Sequence, residues 1–422
     1  MMSAASCRFP ALGPSGDEDP RAGRGVASER LVGIGYEDVV ASSRSWSQVS
    51  ATLDEMGATG VTVSVGRPEW TAFPWPDHSA SWSAPVRTSG EDYVAKAVDV
   101  LKEDGNGRRR SITLTIDVLA PRRIAQRPEL GALATDGTRS TEVLGPAALV
   151  GEGGEQIADL CGAVARRYDV DRVALAELFV ESGYGPDDLE VFRRMTGEQD
   201  WPRDASGAID TAAESLGAFR SAVVTDVVRR CAAQVHPTGK AVDVDVRANW
   251  TGPGSRPDSG HDYAELLETA DHLTVWNYFG ISQQDPSYSR QITKSLADSV
   301  GAARLDRVTM SVGLWAGQGD DSREVISPEQ LEEGLLESAT NGLTSVSVTP
   351  LSLLDDSHRR AVARAWNPGG GSIRPTSGGH GDAVIGARIA APRASAWCRS
   401  RRGVVSPGAA RDRARGSLIP GA

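Results

Sequence analysis

Short runs in which apolar and polar positions alternate recur along the chain, and between them lie longer stretches whose apolar positions return every three or four residues. The first run, Leu31–Glu37, sets Val32, Ile34 and Tyr36 on one face and Gly33, Gly35 and Glu37 on the other. The same reading predicts strands at Val61–Val65, Ile112–Val118, Val173–Phe179, Val242–Ala248, Leu273–Tyr278, Val308–Leu314 and Ser345–Thr349. Helical periodicity fills the intervals at Trp46–Met56, Glu91–Lys102, Glu155–Tyr168, Leu216–Val235, Tyr263–Ala270, Tyr288–Val300 and Pro328–Thr340, and His358–Trp366 closes the series. Ser45 serves as N-cap of the first helix and Gly57 as its stop. Parallel neighbours need crossover connections, so strands alternating with helices predict a parallel sheet. Eight such units predict closure into a (β/α)8 TIM barrel over residues 30–366.

The strand faces sharpen this. In five of the strands Val, Ile, Leu and Met share one parity: Ile112, Leu114 and Ile116 oppose Thr113, Thr115 and Asp117, and Val308, Met310 and Val312 oppose Thr309, Ser311 and Gly313. The apolar parity belongs under the helices, which leaves a barrel lumen lined by polar side chains.

The stretch Val170–Asp200 reads as a buried strand ending in Glu177, a polar loop carrying Glu181, Tyr184, Asp187 and Asp188, and a helix with Leu189, Phe192 and Met195 on one side, closed by Gly197. A carboxylate delivered at the C-terminal end of a barrel strand is a candidate catalytic group. Strict alternation places Glu177 with Val173 and Leu175. Either the small alanines face the helices, or a bulge at the strand end re-aims the carboxylate.

On the fifth strand Asp243, Asp245, Arg247 and Asn249 share one parity, a costly burial unless the charges pair. Asp243, the deepest, suits an internal Asp–Arg bridge, whereas Asp245, Arg247 and Asn249 approach the end where ligands bind. Glu37, Asp38 and Asp117 also close strands, the sixth ends in Trp276, Asn277 and Tyr278, and the seventh ends in Leu314 and Trp315. The loop after the second strand carries Trp70, Phe73, Trp75 and Trp82 around His78, in a chain only 5% aromatic. Flat aromatics beside carboxylates suit sugar rings, which stack their C–H faces and hydrogen-bond through their hydroxyls.

Composition narrows the class. The 422 residues are 40% hydrophobic and 24% charged, as in a globular protein. A net charge of −11 argues against a nucleic-acid partner, although nine arginines face two aspartates from Asn367 onwards. Residues 1–29 and 367–422 lack periodicity and read as disordered tails, the second of them basic and rich in Gly, Ala, Arg and Pro. No apolar run is long enough to span a membrane, and no signal peptide is visible. The chain as written is expected in the cytoplasm, and secreted or at the cell surface if its true N-terminus differs. Cys161 and Cys231 fall in helical patterns and read as buried thiols. No phosphate-cradling glycine loop, metal-ligand spacing or G-x-S-x-G elbow occurs, so neither cofactor nor metal is expected.

Four segments, YDVDRVALAELF, YGPDDLEVFRRMTGEQDWPRD, SLGAFRSAVV and TVWNYFG, resemble the family-10-like glycosyl hydrolases and the C-terminal hydrolase domains of bacterial poly-β-1,6-N-acetylglucosamine-processing proteins. The resemblance spans residues 31–366 through loose motifs. It implies a glycosidase acting on a polysaccharide, possible amino sugars included, with Glu177 at the position of the family's strand-four acid. The relatives commonly carry Asp there, often with a second acid beside it, where this chain has Leu178. Strand seven ends in SVGLWAG, without the nucleophilic Glu of the large retaining clan. The resemblance therefore implies Glu177 as general acid, with a partner from Asp245, Asp117 or Glu37, or from the substrate's acetamido group. Asp245 is the expected base or electrostatic stabiliser. Glu37, Trp70, Trp75, Arg247, Asn249, Trp276, Asn277, Tyr278 and Trp315 would hold the sugar. The alternatives are a barrel that binds polysaccharide without cleaving it, or a lyase or deacetylase. The lack of a metal cluster counts against a metal-dependent deacetylase.

Overall fold

The computed structural model describes residues 25–41, 45–250, 254–317 and 324–367. Eight parallel strands run in chain order as β1 (Glu29–Ile34), β2 (Gly60–Arg67), β3 (Ser111–Asp117), β4 (Arg172–Ala176), β5 (Ala241–Arg247), β6 (His272–Asn277), β7 (Val308–Gly313) and β8 (Ser345–Thr349). Each pairs with its neighbour in sequence, and β1 pairs with β8 as well as β2, so the sheet closes into a (β/α)8 barrel. Helices between the strands bury the apolar parity: Val61, Val63, Ile112, Leu114, Val242, Val244, Val346 and Val348 are all buried. Local signals start and stop these helices. Ser45 caps Trp46–Met56 and Gly57 ends it in the left-handed region, Asp92 caps Tyr93–Leu101, and a Ser327/Gln330 capping box opens Pro328–Ser338.

The polar parity lines the lumen as expected. Thr62, Ser64, Thr113, Thr115, Ala174, Asp243, Asp245, Thr274, Ser311, Ser347 and Thr349 surround a cavity of about 150 Å³. Most (β/α)8 barrels fill this space with branched apolar side chains. Here Gly33 leaves room for the Thr349 side chain, since a Cβ on it would clash with that hydroxyl. At the floor, Arg172 pairs with Glu29 at 2.9 Å, and Glu29 also accepts from the Ser345 hydroxyl at 2.7 Å. Asp243 accepts from Thr274 at 3.0 Å and feels the Arg172 charge, so the internal bridge expected of it is a small network instead.

Three sequence expectations change. Residues 25–29 belong to the fold: the Gly25 amide donates to the Ala339 carbonyl at 2.9 Å and the Ser28 amide to the Thr344 carbonyl at 2.9 Å. Asn367 is likewise held, its side chain accepting from Arg30 at 3.2 Å. The remainder of the expected disordered tails, 1–24 and 368–422, lies outside the described residues. Cys161 and Cys231 are joined as a disulfide, with Cα atoms 5.6 Å apart. They sit on Glu152–Arg167 and Glu214–Val235, the helices flanking β4, which pack side by side although 70 residues separate the cysteines. A pair so distant in sequence leaves no spacing pattern to read.

The largest departure from plain alternation of strand and helix follows β3. Helix Pro121–Gln126, an antiparallel hairpin of Gly131–Leu133 with Arg139–Leu144, and helix Pro146–Val150 are inserted there. Among the described residues no helix is long and apolar enough to cross a membrane.

Candidate active site

At the C-terminal end of the barrel, two breaks in strand alternation bring charged groups together. The first is in β2. Ser64 pairs with Thr115 and Gly66 with Ile116, so Val65 is an extra residue in the ladder. Val61, Val63 and Val65 are buried on the helix side, and the bulge turns Arg67, which has their parity, into the lumen beside Asp117, with which it forms an ion pair. Gly66 makes this possible: its φ is +104°, and a Cβ there would meet the Trp70 carbonyl oxygen at 2.3 Å.

The second break is Glu177. β4 ends at Ala176, and Ala174 faces the lumen while Val173 and Leu175 pack outward. Glu177 then takes φ +59°, a left-handed conformation uncommon for a residue with a long side chain. That turn cancels the alternation that would have sent it to the helices. Its carboxyl is pushed up to about 7, first by burial and then by the Asp117 charge, against the opposing pull of Arg247 and Arg67. Backbone strain of this kind collects where surrounding structure holds a side chain in a functional pose.

The remaining walls follow from β5 and β6. Asp245 is held well above the ordinary carboxylate range by burial and by Asp243, while the Trp276 indole donates a hydrogen bond to it. Tyr278 lies over Asp245 and Glu177, bonds Ser311, and is raised well above a normal phenol by burial. Trp276, Tyr278 and Trp315 form an aromatic run, with ring centroids 5.6 Å and then 5.3 Å apart. Arg247 pairs with Glu181 and stacks over Phe179 at 4.0 Å; burial brings it down to about 10. Asp117 also accepts from the Leu119 amide at 2.8 Å, and its carboxyl is raised by burial while Arg67 opposes the rise. Trp70 packs against Tyr36 with its ring tilted, centroids 4.0 Å apart, and lies under Arg67 at 4.6 Å, so it flanks the Asp117 side of the mouth.

Glu177, Asp117, Asp245, Arg247, Trp276, Tyr278, Trp315 and Trp70 thus gather round one opening, with exposed Glu37 on its rim. Three of the sequence candidates lie apart. Trp75 is 3% exposed, stacked on His78 at 3.8 Å, and its carbonyl takes the Trp82 indole proton, so it packs its loop. Asn277 is fully buried and donates to Ser289 and Ser338 at 2.8 and 2.9 Å, because its parity is opposite to that of Trp276. The Asn249 amide donates to the Ser255 carbonyl at 3.1 Å within its own loop.

The sequence reading missed Arg67, for which Gly66 inside a strand was the available signal. It also missed Glu142, which the hairpin after β3 brings within electrostatic reach of Asp117 and Glu177. Asp188 locks that insertion to the β4 loop. Its carboxylate accepts from Ala147 at 2.9 Å and Gly185 at 3.0 Å, pinning the first turns of two helices at once. Asp188→Ala strands two amides, and we expect a loss of about 1–3 kcal/mol in urea unfolding. Among the described residues, no group of three or more His, Cys, Asp or Glu side chains is placed to hold a metal.

No family model and no curated protein matches the chain. Solved structures do. The PgaB (BpsB) glycoside hydrolase domain from Bordetella bronchiseptica superposes with a TM-score of 0.58 at 15% identity, over 80% of this chain and 98% of that one. The catalytic domain of beta-amylase from Paenibacillus polymyxa gives 0.54 at 12% identity, over 79% and 95%. Alpha-L-fucosidase isoenzyme 2 from Paenibacillus thiaminolyticus gives 0.55 at 13%, over 80% of this chain but 49% of that one. These likenesses establish the fold, a (β/α)8 barrel.

Proposed function

We propose that this protein is a glycoside hydrolase that cleaves a polysaccharide, with Glu177 as general acid. The observation that carries the reading is Glu177 itself: a carboxyl turned into the barrel mouth by a left-handed backbone, raised to about 7, and set beside a second carboxylate that Arg67 holds. A carboxyl raised by burial beside a second carboxylate paired with a guanidinium offers the acid and the charge that glycosidic cleavage needs. Glu177 stays protonated and donates to the leaving oxygen. Asp117, beside a guanidinium, carries the negative charge that faces the oxocarbenium-like transition state. Asp245, which burial and the Asp243 charge hold well above the ordinary carboxylate range, is placed to donate to a sugar hydroxyl, a different duty from the basic one expected of it. Trp70, Tyr278 and Trp315 offer faces for the rings, and Arg247 with Glu181 offers polar contacts beyond the cleaved bond. The glycoside hydrolase structures that share the fold support the same class. Amino sugars remain the proposed substrate content on the strength of the sequence resemblance. The Cys161–Cys231 bridge supports work in an oxidising compartment, at the cell surface or outside the cell.

The reading is tested by the pH dependence of kcat on a cleaved glycan. The general acid must be protonated, so activity should fall as pH rises through about 7. A rate that climbs steadily from pH 6 to 9 contradicts Glu177 as the acid.

A further inference from the structure

The loop that returns from β5 clamps the ends of both strands that carry the site. His261 is 1% exposed and bonds in two directions. Its Nε2 is 2.8 Å from the Leu178 carbonyl oxygen, and its Nδ1 is 3.1 Å from the Arg247 amide. A carbonyl can only accept and an amide can only donate, so the Nε2–H donates to Leu178 and bare Nδ1 accepts from Arg247. Ser259, 3.2 Å from the same Nδ1, spends its proton on the Arg256 carbonyl at 2.9 Å. The neighbouring backbone adds to the clamp: the Val180 amide donates to the Ser259 carbonyl at 2.9 Å, and the Tyr263 hydroxyl to the Arg247 carbonyl at 2.5 Å. Leu178 is the residue after Glu177, so its carbonyl is anchored one peptide from the strained left-handed turn.

We propose that His261 is a positioning residue that holds Glu177 in its left-handed, inward-facing pose and couples it to Arg247 across the β4–β5 gap. The inference rests on the glycosidase reading for its catalytic meaning and on the hydrogen bonds alone for its structural one. Burial keeps the imidazole neutral, pushed down to about 3, so the two bonds persist through the working pH range. Without the Leu178 anchor the strained turn relaxes toward extended backbone, and Glu177 meets water.

The groups facing that carboxyl are Asp117 and Arg67 from β3 and β2, Glu142 from the inserted hairpin, Asp245 and Arg247 from β5, and Tyr278 after β6. Of these, Arg247 is itself held by His261 through its main-chain amide, so a shift in Glu177 reports the pose of the two residues that the imidazole ties together. His261→Asn keeps an acceptor near the Nδ1 position and loses the donor to Leu178. His261→Gln keeps a donor near Nε2. The experiment is infrared titration of the Glu177 carboxyl, assigned by the band that Glu177→Gln removes, in the wild type and both variants, with kcat and KM beside it on a cleaved glycan.

In His261→Asn the Glu177 pKa should fall by about one unit. With it, kcat should drop about 10–100-fold with little change in KM, as for a misplaced catalytic group. His261→Gln should restore most of both. Equal Glu177 titration in all three proteins overturns the proposal, and so does a larger shift in the Gln variant than in the Asn variant. If the wild type cleaves no glycan, the titration still decides the positioning role, while the glycosidase reading fails by itself.

Discussion

Glu177→Gln should lower kcat by about 10²–10⁴-fold while leaving glycan affinity nearly unchanged. Gln matches the volume and hydrogen-bonding reach of a protonated Glu, so the left-handed turn and the packing of the mouth survive. What disappears is the proton that the leaving oxygen must receive. The loss should be smallest on substrates with a good leaving group such as a nitrophenolate, which departs without protonation. The fall in rate above about pH 7 should vanish with the side chain, since Glu177 is the group raised to that value. Kinetics of the variant on aryl glycosides and on polymer, with binding by calorimetry, check each part. A variant that retains full turnover on polymer removes Glu177 from the chemistry.

Asp117→Asn carries the second large effect. The Asp117 charge is, after burial, the main influence that raises Glu177. Removing it leaves burial in place but takes away the repulsion, so the alkaline limb of the pH–rate profile should move down by about one unit. The rate at the optimum should fall about 10²–10³-fold, the range seen when one preorganised charge is taken from a transition state. Arg67 loses its partner and stays attracted to Glu177, which pushes in the same direction. The pH–rate profile of the variant measures both. An unmoved limb would mean that Asp117 and Glu177 do not sense one another. An unchanged rate would assign the stabilising charge elsewhere, with Glu142, whose charge also acts on Asp117 and Glu177, the next candidate.

The barrel was legible because its elements obey one rule throughout. Short apolar runs marked all eight strands, β8 to the residue, and helices Trp46–Met56 and Tyr288–Val300 fall where their periodicity placed them. The polar lumen was legible for the same reason: the parity that buries Val63 and Leu114 leaves Ser64 and Thr115 inside. The residues gathered at the barrel mouth were legible where they obeyed that rule and hidden where they broke it. Asp117, Asp245 and Trp276 follow alternation and were found. Glu177 was found as a strand-terminal acid, but only its positive φ explains how it faces inward. Arg67 was hidden by the bulge at Val65, and Glu142 by a hairpin whose position depends on Asp188 rather than on local pattern. Asn277 shows the reverse error. Proximity to Trp276 suggested a shared role, whereas one step along a strand turns a side chain to the opposite face. The insertion after β3 left no strong periodicity because its helices and strands are each too short to show any.

The central claim is that this barrel cuts a polysaccharide with the Glu177 proton. The most direct measurement is reducing-end release from a panel of purified polysaccharides, poly-N-acetylglucosamine included, by wild type and Glu177→Gln at pH 6. The wild type should release reducing ends from at least one glycan, and the variant should lose that release with binding to the same glycan preserved. Binding to a glycan by both proteins, with no new reducing ends from either, would contradict the claim and identify a barrel that holds polysaccharide without cleaving it.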